Sequence, residues 1–166
     1  LETLLTIPLH LALFSSEGDT EELLQDGVAL LEALRRTTRD ISVYAQSTRI
    51  LTPSQPNVLF GLLEPCVTEV TSPSEGGVFH PKIWLLRFEQ ATTGAERFRL
   101  LVLSRNLTND RSWDLSLTLE SVGDDKPHPE NEPLARFLEA LPSLAVRPIP
   151  ADRRENVEAL EIGRAH

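Results

Sequence analysis

The stretch Phe79–Glu120, FHPKIWLLRFEQATTGAERFRLLVLSRNLTNDRSWDLSLTLE, decides how the chain is read. It sets His80 and Lys82 within one apolar run, and a second run, Phe98–Leu103, ends in Ser104-Arg105-Asn106. In a strand, residues i and i+2 share a face, so His80 and Lys82 are expected to point the same way. If the two runs pair, Asn106 comes near them just past the end of the second. An imidazole, an ammonium and an amide converging at strand ends make a set suited to phosphate. Three strands are expected here, at about 78–88, 97–103 and 113–120, joined by residues 90–96 and 106–112.

Working outward, Ile7, Leu9, Leu11 and Leu13 alternate over residues 3–14, the pattern of a buried strand. A turn with helix-capping residues follows at 15–19. Leu23, Leu24, Val28, Leu31 and Leu34 then predict a helix over 20–37, acidic in its first turn and arginine-bearing in its last. Gly27 weakens that helix. Residues 41–45 read as a second strand, and strand, helix, strand with short links predicts a right-handed crossover and a parallel pair.

A short helix is expected over 58–63, a β-favouring segment over 66–71, and a flexible loop over 72–77 that runs into the Phe79 stretch. Beyond it, 124–133 is a polar loop, 134–141 an amphipathic helix and 151–161 a charged helix. The expected fold is therefore α/β, with a mixed, mainly parallel sheet flanked by helices. Residues 1–123 form its core, and 124–166 add a loop and helices packed on the same domain.

With 166 residues, 40% of them hydrophobic and 25% charged, the chain has the composition of one globular domain, or one domain and a short tail. A lone cysteine, Cys66, excludes an internal disulfide framework and a cysteine-rich zinc site. It reads as a small core residue, and its isolation fits a reducing compartment, so a cytoplasmic location is expected. No apolar run approaches the ~18 residues of a membrane helix. The N-terminal segment lacks the basic start of a signal peptide. Methionine is absent, even at position 1, as in a processed or truncated chain.

The net charge of −9 argues against a general polyanion-binding surface. Yet Val78–Arg111 carries six basic residues (Lys82, Arg87, Arg97, Arg99, Arg105, Arg111) against three acidic ones, a local anion site on an anion-repelling body. Trp84 and Trp113 read as core or rim packing rather than as stacking platforms. The HPENE segment at 128–132 reads as a solvated turn, not a metal site.

Phosphodiester chemistry is open to such a set without a metal. A neutral imidazole is a nucleophile and a proton carrier. Charge grows on the phosphoryl oxygens during attack, so fixed donors aimed at them lower the barrier. Lys82 supplies a point charge and Asn106 an amide N–H. Attack by His80 on phosphorus makes a covalent intermediate that divides one hard step into two.

In HPKIWLLRF followed by FRLLVLSRNLTNDRSWD, the pattern His-x-Lys, strand, Ser-x-Asn resembles the phospholipase D superfamily. It is most similar to the tyrosyl-DNA phosphodiesterase branch, whose motif lacks the usual aspartate and is completed by an asparagine after the next strand. Here Leu86 and Arg87, four and five residues past Lys82, are not acidic, and Leu103 stands where a glycine often precedes the serine. The resemblance covers about 78–120. It implies that His80 is the nucleophile or the acid–base partner and that Lys82 and Asn106 bind the non-bridging oxygens. Ser104, and more weakly Asp114, would orient the site, and Ser104, Arg105 and Arg111 are the accompanying phosphate-binding candidates. It implies no cofactor and no metal.

The family reaction uses two His-x-Lys motifs, and this chain carries one: Ala12 and Glu130 stand two past His10 and His128, and His166 is the last residue. The expected partners are thus a nucleic-acid phosphodiester and a second lobe, from a homodimer or from sequence beyond these residues. A non-catalytic phosphate-binding or docking module is the alternative. A lipid phosphodiesterase ranks last, since no membrane-facing stretch accompanies the motif.

Overall fold

Short links between strands give antiparallel pairs and longer ones permit parallel pairs, and this chain uses both. The computed structural model describes residues 2–14, 20–51, 53, 55, 57–107, 111–121 and 128–160. The chain divides into two compact units, 1–79 with 140–157, and 80–139 with the chain from 158 on.

The first unit opens with a helix, α1 (Glu2–Phe14), where a strand was expected. The alternating residues there share the segment with Leu4, Leu5 and Ala12, so apolar groups cover every face and alternation loses its meaning. Burial follows the helical period instead: Pro8 and Ala12, four apart, are the buried pair, while Leu11 is exposed. The expected helix over 20–37 is two, α2 (Thr20–Gln25) and α3 (Gly27–Thr37). Asp26 breaks it with extended backbone, and its Oδ1 accepts the Val28 and Ala29 N–H groups at 2.9 and 3.1 Å. An aspartate ahead of a glycine is a better N-cap than a helix interior. Leu34 of the expected apolar face is buried, whereas Val28 stays 77% exposed. The turn expected at 15–19 lies outside the described residues.

With 3–14 helical, the parallel pair expected between it and 41–45 does not form; the parallel pair present is instead β1 (Val43–Gln46) with β2 (Val67–Val70), in register Val43↔Val67 to Gln46↔Val70. Its crossover carries α4 (Phe60–Leu63), close to the short helix expected at 58–63. The outer edge of β2 is covered from the C-terminal part of the unit: Val146 N–H donates to Glu69 O at 2.9 Å and Thr71 N–H to Leu144 O at 3.1 Å. Val70, between them, is fully buried with Leu63, Cys66, Leu34 and Leu141 in the unit's core. A last helix, α6 (Ala151–Glu158), spans most of the segment expected as a charged helix. Its Arg153 is 5% exposed and donates from Nη1 to the carbonyls of Thr38, Arg39 and Ile41 at 2.9, 2.8 and 2.8 Å.

The second unit is an antiparallel meander, β3 (Ile83–Glu89), β4 (Glu96–Leu103) and β5 (Ser116–Glu120), followed by α5 (Glu132–Ala140). The β3–β4 connection closes through Gln90 N–H to Ala95 O at 2.9 Å and Gly94 N–H to Gln90 O at 2.8 Å. Gly94 has φ +68°, which a side chain resists. Ladders run Ile83↔Val102 to Glu89↔Glu96 and Leu103↔Ser116 to Arg99↔Glu120. The fold is thus mixed α/β, but the expected mainly parallel sheet is not what the described strands form: the connection after β3 is too short for a crossover, so the central strands pair antiparallel. The boundary expected at 123/124 lies outside the described residues. The HPENE segment forms a 3₁₀ turn, Pro129–Asn131, that leads into α5.

Candidate phosphate site

β3 begins at Ile83, so His80 and Lys82 lie on its extended lead-in rather than inside the strand. Pro81 between them has no N–H to give a ladder. The last backbone bond of the β3–β4 pair is Leu103 N–H to Lys82 O, at 2.8 Å. It ties Lys82 to the residue immediately before Ser104-Arg105-Asn106. Within the first unit, Phe79 N–H donates to Gln46 Oε1 at 2.7 Å.

His80 and Lys82 do point the same way. Lys82 Nζ lies 2.9 Å from His80 Nδ1 and 3.1 Å from Nε2. An atom nearly equidistant from both ring nitrogens cannot lie in the ring plane, where it would collide with the carbon between them. The ammonium therefore rests against the face of the imidazole, and the in-plane lone pair of the neutral ring is not consumed by it. His80 is exposed and Lys82 half-buried. That combination leaves the ring open to solvent while the lysine stem is partly covered.

The Ser104-Arg105-Asn106 corner is built by hydrogen bonds to the start of β5. Ser104 N–H and Oγ–H both donate to Asp114 Oδ1, at 3.1 and 2.5 Å, and Leu115 N–H donates to Ser104 Oγ at 3.0 Å. Ser104 N–H also points to Leu115 O at 3.0 Å. So Ser104 and Asp114, ten residues apart in sequence, fix the path on which Arg105 and Asn106 lie. Asn106 is exposed, Arg105 half-buried and Arg111 exposed, all beyond the same end of the sheet as Lys82.

The basic cluster is less uniform than its sequence suggests. Arg87 pairs with Glu96 across the β3–β4 ladder, and Arg99 with Glu120 across β4–β5, where its guanidinium also lies 5.5 Å from the Phe88 ring centroid. Exposed pairs of this kind contribute little stability, but they neutralise the two arginines within the sheet. Arg97 falls toward the hairpin end, in register with Phe88. Lys82, Arg105 and Arg111 lie at the opposite end, before β3 and between β4 and β5.

Two features escaped the sequence reading. The Ser104–Asp114 bond rests on which turn the chain takes between β4 and β5. The support of Phe79 by Gln46 has no sequence signal at all, since a glutamine at a strand end is ordinary. Among the described residues, no three His, Cys, Asp or Glu side chains gather in a metal-ligating group, and no helix is long and apolar enough to cross a membrane. Cys66 is buried, with its thiol pushed up by desolvation against a partial offset from the nearby Arg153 charge, and it donates to Leu63 O at 3.1 Å. It takes no part in the site. No protein-family model, curated protein or solved structure matches the chain.

Proposed function

We propose that this chain is one lobe of a metal-independent phosphodiesterase of the phospholipase D type, acting on nucleic acid through a phosphohistidine at His80. The observation that carries this is the seating of Lys82 Nζ against the His80 imidazole, at the sheet end where β4 turns into Ser104-Arg105-Asn106.

In the first step a ring nitrogen of His80 attacks phosphorus with its in-plane lone pair. A P–N bond forms, and the P–O bond to the leaving group breaks. Lys82 and Asn106 hold the non-bridging oxygens as their charge grows. The leaving oxygen takes a proton from an acid on a second lobe, contributed by another copy or by further sequence. Water then attacks phosphorus, its proton passes to that same group, and the P–N bond breaks to restore His80.

Labelled DNA and RNA incubated in EDTA with the full-length protein and with its His80→Ala variant test the proposal. Cleavage is expected from the wild type and none from the variant. Cleavage equal in both, or absent from both, removes the enzymatic reading. The solitary His-x-Lys motif favours a second reading, a module that binds phosphate backbones without turnover. Salt-dependent binding with no product is its signature.

A further inference from the structure

We propose that Trp113 is a stacking platform for an unpaired base beside the phosphate held by Lys82, so that the strand engaged is single-stranded; this rests on the phosphodiester reading above. Trp113 is 99% exposed, so packing in the core does not account for it. Nor does it hang from a free tip. The next residue, Asp114, accepts both Ser104 donors, and Leu115 N–H returns to Ser104 Oγ at 3.0 Å. Ser104 follows Leu103, whose N–H is bonded to Lys82 O at 2.8 Å. The indole is thus mounted on the same hydrogen-bonded corner that carries Asn106, with exposed Arg111 two residues before it.

Charge decides between single and double strands. A duplex keeps its bases inside and offers this surface phosphates alone, and the net charge of −9 on the chain repels such a rod at long range. An unpaired strand adds an uncharged contact, its base face on an aromatic ring, that long-range repulsion does not weaken. A protein partner seated on the neighbouring exposed leucines of β5, Leu117 and Leu119, would also cover the indole. The experiment separates the two.

The chain holds two tryptophans, so Trp84→Phe leaves Trp113 as the sole tryptophan, excited selectively over Tyr44. A short oligothymidylate, a blunt duplex of equal length and an abasic phosphodiester strand of equal length are titrated into it. Quenching is expected with the oligothymidylate and not with the duplex. In the otherwise wild-type chain, Trp113→Ala is expected to weaken oligothymidylate binding by roughly 5- to 150-fold. Trp113→Phe is expected to retain most of the affinity, and abasic-strand binding to be the same in all three. If Trp113→Ala binds the oligothymidylate as the wild type does, the platform is overturned and the phosphodiester reading stands. If no probe binds the wild type, both fall. If Trp113→Ala instead dissolves an oligomer seen in sedimentation and leaves strand binding intact, the indole is a protein contact and the platform is overturned.

Discussion

At the scale of single residues, the site rests on a pair of contacts of different kinds. The His80–Lys82 contact was legible, because a two-residue spacing brings side chains together in any extended segment, strand or lead-in. The Ser104–Asp114 contact was legible only as two weak candidates, because nothing local says that a serine and an aspartate ten residues apart will meet. The structure shows the two bonded to each other at the corner that leads into Arg105 and Asn106. Ser104→Ala removes two hydrogen bonds at an exposed corner and is expected to cost only about 1 kcal/mol of stability. On the proposed phosphodiesterase reading its larger effect is on turnover: kcat is expected to fall by about ten-fold or more while KM changes little, because Asn106 loses its fixed path. Asp114→Asn, which retains an acceptor oxygen, is expected to fall between Ser104→Ala and the wild type. Steady-state kinetics on a labelled oligonucleotide decide it, and an unchanged kcat in Ser104→Ala removes the positioning role.

At the scale of elements, the sequence located most segments but not their character. β3 and β4 were readable as two apolar runs joined at 90–96, but their antiparallel pairing was not, because the sheet was expected to be mainly parallel; the tight connection turns on Gly94. Gly94→Ala, forced to φ near +68°, is expected to destabilise the second unit by roughly 1–2 kcal/mol, measured by urea denaturation. The strand expected over 3–14 became α1 because in a run apolar on every face the burial partners, not the alternation, choose the period. Arg153 on α6 shows the reverse problem, a charge that reads as solvated and is in fact enclosed by three carbonyls. Arg153→Ala is expected to cost roughly 3 kcal/mol, since those carbonyls lose their donor in the interior. Arg153→Lys, with charge but without the fork, is expected to recover part of that. A urea midpoint for Arg153→Ala equal to the wild type's shows that water replaces the guanidinium.

At the scale of the whole molecule, pH reports on the first unit's interior. Burial raises both the Cys66 thiol and the Tyr44 phenol, with the Arg153 charge partly opposing each. The folded chain therefore holds these protons to higher pH than the unfolded chain does. Stability contributed by them is complete below the ordinary thiol value of 9.0 and is lost as pH rises past it and past the phenol value of 10.0. Urea midpoints are expected to decline over that range, and the double variant Cys66→Ala, Tyr44→Phe to flatten the decline. A midpoint that rises with pH there contradicts the assignment.

The first unit is written in two pieces, 1–79 and 140–157, with the second unit's residues between them. On the ribosome those pieces emerge far apart in time. When residue 139 leaves the exit tunnel, the outer edge of β2 still waits for Leu144 and Val146, and the carbonyls of Thr38, Arg39 and Ile41 still wait for Arg153. The β3–β4 hairpin, made wholly of neighbours, is complete long before. Residues 1–79 thus depart from the usual amino-terminal-first order: the segment born first closes its sheet edge and fills its carbonyls only once residues 144–153 have emerged. A nascent chain stalled at 139 should be open to protease throughout 1–79, and one stalled well beyond 157 closed to it.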